Sequence, residues 1–307
     1  MILLSRDRMA FSGPQVQSEL ILGGYAIYVS TERPIVLSVN GVLAAKPFIA
    51  IVPPYTKHRL QTTHDVRSIL VEAETVSSRL LEDERFHTGG PEARAWAGRI
   101  EESFQRCLSC ADECEAKSFD LFFFGERLPR RQLDGRVALA AERLCAAPDA
   151  SASELTAIAR SVALSPSRLR HLFREQVGVT IRRFRAWKRL RNTMQIALLE
   201  PNILKVAMAA GYADATHLCH ATRLFFGKQP SSVCAHWRRE LRAVRESGIC
   251  ATLDPGSVVA IDSRNDSGTE STRVRLAIPS SHARSGLGRR RNSVAAGHDR
   301  ERRTRVY

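Results

Sequence analysis

The stretch SASELTAIARSVALSPSRLRHLFREQVG, Ser151–Gly178, decides the fold of this chain. Ser151 and Glu154 have the spacing of a capping box, in which each side chain satisfies the other residue's backbone N–H. Leu155, Ile158, Ala159 and Val162 then recur at helical spacing and predict a first helix. Ser165-Pro166 restarts a helix, with Ser at the N-cap and Pro at the first helical position, where a missing N–H is tolerated. Leu169, Leu172, Phe173 and Val177 make its apolar stripe, and Gly178 ends it. Ser167, Arg168, Arg170, His171 and Arg174 fall on the opposite face. One such unit is either a helix-turn-helix or a helical hairpin whose basic face is merely solvated.

A second copy separates those readings. ILKVAMAAGYADATHLCHATRLFFG, Ile203–Gly227, repeats the order with a shift of about 49 residues. Val206, Ala207 and Ala210 give a small-residue face, and Gly211 supplies the turn. Asp214 is the N-cap of a helix with Leu218, Ala221, Thr222 and Phe225 or Phe226 inward. Ala215, Thr216, Cys219, His220 and Arg223 face outward. Gly227-Lys228-Gln229-Pro230 terminates it, and Ser231 caps a last short helix through Trp237. Between the copies, residues 180–199 lack Gly and Pro and repeat apolar residues at three- and four-residue intervals. Arg182, Arg183, Arg185, Lys188, Arg189 and Arg191 fill the remaining positions of its first half. Twenty helical residues make a rod of about 30 Å. Adjacent major grooves on one face of B-DNA lie about 34 Å apart. Double-stranded DNA is therefore the partner that the tandem units fit.

From about Leu133 to Arg239 the residues resemble the DNA-binding domain of AraC/XylS-type bacterial transcription regulators. The matching phrases are SPSRLRHLFREQVG, FRAWKRLRNTMQIAL and AAGYADATHLCHATRLFFGKQPSS. The resemblance implies that Ser167, Arg170 and His171 read bases from the first unit, and Ala215, Thr216, Cys219 and His220 from the second. Arg168, Arg174, Arg223 and Lys228 are read as phosphate contacts. The family usually has Arg where His220 stands and a core Phe where Thr222 stands. The first change removes a bidentate guanine reader. The second removes apolar burial of about 2 kcal/mol. The second unit is thus expected to contribute less to sequence choice.

The charge is segregated as a phosphate-binding role predicts. The 307 residues carry a formal net charge of +14. Residues 1–130 hold 15 Lys and Arg against 17 Asp and Glu, whereas residues 131–240 hold 18 against 8. Residues 241–307 hold 13 against 7. The first residues make a poor secretion signal, no apolar run is long enough to span a membrane, and seven cysteines without a framework spacing suit a reducing compartment. These features place the chain at the nucleoid of a bacterial-type cytoplasm.

The expected class is α+β, with a small cupin-like β-barrel sensor over residues 1–125. An all-α tandem helix-turn-helix domain over 131–240 and a basic disordered tail over 241–307 follow. Strands are predicted at Tyr25–Val29, Ile35–Val39, Phe48–Val52 and Ser68–Val71. IVPPYTKHRLQ loosely resembles a strand-turn-strand of the sensor barrel found ahead of many such DNA-binding domains. His58 is followed by Arg59 and Leu60 rather than the His-x-His of metal-binding cupins, so it reads as a structural or pocket residue. Residues 91–117 are predicted helical, with Trp96, Ile100, Phe104, Cys107 and Leu108 in one stripe. In related regulators such helices serve dimerisation; an amphipathic helix packing on its own barrel fits the pattern equally. Cys107, Cys110 and Cys114 share that stripe and read as packing thiols. A zinc site would need a fourth ligand.

The reading is a sequence-specific transcription regulator that uses no cofactor, metal or catalytic residue. RNA polymerase, a small-molecule effector and a second copy are its further expected partners; no membrane contact is expected. A non-specific architectural DNA binder is one alternative. The other is an alkylation-repair protein with reactive cysteines, which would need four clustered thiolates.

Overall fold

In the computed structural model, residues 2–233 and 241–243 are described, apart from 6, 14–17, 44–46, 63, 87–88, 110–117 and 198–199. The strands are β1 Ile2–Leu4, β2 Arg8–Gly13, β3 Gly24–Val29, β4 Leu37–Val39, β5 Val42–Leu43, β6 Ile49–Val52, β7 His58–Leu60, β8 Val66–Glu72 and β9 Leu241–Ala243. They form two sheets, ordered β6-β3-β8-β2-β1-β9 and β5-β4-β7. All pairings are antiparallel except β1 with β9. The expected barrel is thus seen as two sheets, and among the described residues no closed barrel forms. Strands β1, β2 and β9 carry no long alternating pattern and were not expected. Strand β9 begins where the sequence predicts the tail.

The large sheet is covered on both faces, which is why its central strands read as continuous apolar runs. All six residues of β3 are buried. Tyr25, Ile27 and Val29 point to one core, with Ile49, Ile69 and Val71 beside them. Helices α1 (Pro91–Ser109) and α2 (Phe119–Phe123) close that side. Trp96, Ile100, Phe104 and Cys107 line α1 as expected and are buried. Cys107 is disulfide-bonded, which departs from the reading of three packing thiols. Leu108, Cys110 and Cys114 fall outside the side chains described.

Ala26, Tyr28, Ala50, Val52 and Leu70 point to the opposite core. What covers them comes from far along the chain: Trp187, Leu190 and Met194 of the linker helix, then Val206, Leu218 and Phe225 of the second helix-turn-helix unit. A Cβ on Gly23 would stand 2.2 Å from Trp187 Cγ, so only glycine lets the chain pass the indole this closely. The first unit has a core of its own, in which Val137, Leu144, Leu172, Phe173 and Phe184 meet.

His58 is buried inside the small-sheet side. Its Nδ1–H donates to the Thr56 carbonyl at 2.8 Å, and its Nε2 accepts from the Tyr28 hydroxyl at 2.6 Å. Burial holds its pKa below the usual imidazole range. Among the described residues, no helix is long and apolar enough to cross a membrane.

Candidate nucleic-acid interface

Helix α3 (Gly135–Ala146) precedes the first unit, which consists of α4 (Ala152–Ser161) and α5 (Pro166–Val177). The capping box forms as read. Glu154 N–H donates to Ser151 Oγ at 3.3 Å, and Ser151 N–H donates to Glu154 Oε2 at 2.6 Å. Ser165 caps α5 by accepting from the Arg168 N–H at 3.2 Å, and Gly178 closes it in the left-handed region. Leu169, Leu172, Phe173 and Val177 are buried. Phe173 meets Phe184 edge to face at 5.0 Å between centroids, which fixes α5 against the linker. Ser167, Arg168, Arg170, His171 and Arg174 are all exposed on one side of α5. His171 Nε2 lies 3.7 Å from Glu175 Oε2, so the same helix offers that ring a local partner.

The second unit consists of α7 (Ile203–Ala209) and α8 (Ala215–Phe226), after the linker helix α6 (Ile181–Ala197). Asp214 caps α8 by accepting from the His217 N–H at 2.8 Å, and that bond lowers the Asp214 pKa. Thr216, His220, Arg223 and Lys228 are exposed, whereas Ala215 and Cys219 are half-buried. His217, not among the residues read from the sequence, is exposed in the first turn of α8. Thr222 is fully buried and donates to the Leu218 carbonyl at 2.9 Å, so the hydroxyl is satisfied by its own helix. The turns match: Leu164 N–H bonds to Ala159 O as Tyr212 N–H does to Ala207 O. Ala163 adopts the left-handed conformation that Gly211 takes in the second turn. The short helix expected through Trp237 runs beyond the described residues.

The linker is where the structure departs most from the sequence. The described part of α6 spans seventeen residues, about 26 Å. Its cations do not form one outward face. Lys188 and Arg191 are buried. Lys188 Nζ donates to Glu72 Oε2 at 2.8 Å and to Glu74 Oε1 at 2.6 Å. Arg191 Nε lies 3.2 Å from Glu72 Oε1, and the Trp187 indole N–H donates to the same carboxylate. Burial raises the Glu72 pKa, but the charges of Lys188 and Arg191 outweigh it and hold the group low. Burial raises the Glu74 pKa and prevails there. Burial lowers the Lys188 pKa, yet the two carboxylates hold it above the usual lysine range. Arg185 and Arg189 turn to the carbonyls of Pro148 and Ala150 near the first unit. Arg182 and Arg183 alone of the six are exposed.

Arg131 ties the first unit to the sheet. It donates to the Ala73 and Gln176 carbonyls at 2.8 and 2.7 Å and to the Tyr25 hydroxyl at 3.0 Å. Two capped helices thus present polar and cationic faces, while the linker's charges hold the helical part on the sheet.

Residues 158–236 match the family model described as a helix-turn-helix domain. Over those residues the chain carries a helix-turn-helix domain of the AraC type. Among solved structures, ToxT from Vibrio cholerae O395 is similar over 75% of this chain and 96% of its own, at 11% identity and a TM-score of 0.46. A DNA-binding transcriptional dual regulator from Escherichia coli K-12 is similar over 34% of this chain and 98% of its own, at 19% identity and a TM-score of 0.30. The C-terminal domain of AraT, a response regulator from Geobacillus stearothermophilus, is similar over 38% and 93%, at 19% identity and a TM-score of 0.31. No curated protein matches.

Proposed function

We propose that this protein recognises a specific duplex sequence by placing α5 and α8 in two adjacent major grooves. The observation that carries the reading is the pairing of two capped helices whose outer faces are exposed and polar. Arg170, His171 and Ser167 are the base readers of the first unit, and Thr216, Cys219, His220 and Ala215 those of the second. Arg168, Arg174, Arg223 and Lys228 hold phosphates. Arg170 can form two parallel hydrogen bonds to guanine, and no residue in the second set can do the same. The first unit therefore dominates sequence choice.

The DNA-reading residues lie within 131–240, and the sheet-bearing part carries effector response or dimerisation. The shared core of sheet, linker and second unit supports this, because a change at the sheet reaches α8 through packed side chains. No catalytic step is assigned. The test is selection of duplexes from a random pool by the full chain, followed by titration of selected and scrambled sequences across salt. Specific binding exceeds non-specific binding by about 10³-fold or more, and affinity falls steeply with salt. Equal affinity for both duplexes points to an architectural binder instead, and salt-independent binding or none removes DNA as the partner.

A further inference from the structure

The exit end of α8 meets a part of the sheet domain that is basic, although residues 1–130 as a whole are slightly acidic. A cleft of about 520 Å³ lies there, lined by Lys57, Arg59, Arg223, Glu19, Ser18 and Gly227 among others. Three cations face one carboxylate. Lys57 Nζ lies 2.9 Å from Glu19 Oε2, with both side chains about half exposed. Arg59 and Arg223 are exposed and have no carboxylate within ion-pair distance among the described residues.

The cleft is not a chance meeting of mobile side chains. Ser18 Oγ donates to the Phe226 carbonyl at 2.8 Å, and Ile21 N–H donates to the Phe225 carbonyl at 3.1 Å. A Cβ on Gly227 would stand 2.7 Å from Ser18 Cβ and 2.8 Å from the Glu19 carbonyl oxygen. The last turn of α8 is thus held directly against the segment that precedes β3. Lys57 and Arg59 flank the buried His58, whose two ring bonds anchor that strand.

Helix geometry extends this placement to the DNA. Arg223 lies three residues after His220 and four after Cys219, so it continues the outward face of α8. A recognition helix reads bases with its N-terminal residues. Over the twelve residues of α8, about 18 Å, its far end rises to the lip of the groove, where the phosphates run. Resting on the proposed insertion of α8, we infer that Lys57 and Arg59 of the sheet domain contact the DNA backbone alongside Arg223. The partner is duplex phosphate, favoured by charge complementarity and by continuity with the face of α8. The sheet domain then takes part in DNA binding directly, contrary to what its overall charge suggests. Because Glu19 competes for Lys57, the contact has a built-in opposing charge.

The experiment compares three forms of the full chain on selected and scrambled duplex across salt: the unaltered protein, Lys57→Ala with Arg59→Ala, and Glu19→Gln. All three positions are exposed, and unchanged melting temperatures verify that folding is intact. Deleting one phosphate-binding cation lowers the slope of log affinity against log salt by about 0.9, so the double variant has a slope shallower by about 2. It weakens both duplexes alike and leaves their ratio unchanged, whereas Glu19→Gln tightens binding to both. An unaltered slope and affinity in the double variant, with the unaltered protein still binding, overturns this inference alone. A melting temperature raised by free inorganic phosphate or a carboxylate, with the rise abolished in the double variant while duplex affinity is untouched, assigns the cleft to a small anion and also overturns it. Failure of the unaltered protein to bind duplex removes the function proposed above instead.

Discussion

Replacing Lys188 with Met keeps the apolar stem of the side chain and deletes the charge that joins linker to sheet. Lys188 is buried, with its ammonium within 2.8 Å of Glu72 and 2.6 Å of Glu74. After the change, Glu72 keeps Arg191 at 3.2 Å and the Trp187 indole, but Glu74 is deprived of its one ion-pair partner among the described residues. Removing one member of a buried pair typically destabilises by about 3–5 kcal/mol. Glu74 already has a raised pKa, so it can take up a proton and limit the damage. About 3 kcal/mol at pH 7 is therefore expected, or a melting temperature lower by roughly 6–12 °C for a chain of this size. The sign with pH follows from linkage. A carboxyl that holds its proton more tightly when folded stabilises the fold at low pH, and this support is lost as pH rises above 4.5. The defect is thus smaller at pH 5 than at pH 7. Adding Glu74→Gln to Lys188→Met removes the stranded charge and recovers part of the stability at pH 7. Urea unfolding of the full chain at both pH values measures this. A destabilisation below about 1 kcal/mol, or the same value at both, would refute the reasoning and mark the cluster as solvated.

Arg170→Ala is expected to weaken the selected duplex by about 1–3 kcal/mol and relax preference at one base pair. His220→Ala does less, and Arg223→Ala weakens all sequences alike; equal loss of specificity from Arg170→Ala and His220→Ala contradicts the ranking. Gly23→Ala drives a methyl into the Trp187 ring and destabilises by roughly 1–3 kcal/mol. Gly98→Ala, in α1 with open space around it, instead stabilises by about 1 kcal/mol, and thermal melts of the two variants show opposite shifts. The buried His58 has a depressed pKa, so its contribution is present above pH 6.5 and is lost as pH falls below it, through the lower folded-state value. The melting temperature should fall from pH 7.5 to 5.5, and His58→Gln should flatten that fall; a flat profile in the unaltered protein contradicts the buried neutral ring.

Local chemistry made much of this protein readable from its residues. Ser151 with Glu154, Ser165 with Pro166, and Asp214 each set a helix start that depends on neighbours within three positions. The apolar runs of β3, β6 and β8 were visible because both faces of their sheet are covered. The inward turn of Lys188 and Arg191 was not visible, because helical periodicity sorts charged residues to the outside unless a partner is known. Their partners, Glu72 and Glu74, lie more than a hundred residues away, at the end of β8. The same distance hid Lys57 and Arg59 beside Arg223, since only the folded chain brings β7 to the end of α8. The exposed face of α5 was legible from composition, and the half-burial of Ala215 and Cys219 in α8 was not.

The central claim is that α5 and α8 occupy neighbouring grooves of one duplex. Hydroxyl-radical footprinting of the full chain on its selected duplex tests it most directly. Two protected segments on one face, centred about 10 base pairs apart, are the expected result, with the Arg170→Ala variant weakening both. A single protected segment, or even protection along the whole fragment, would contradict it.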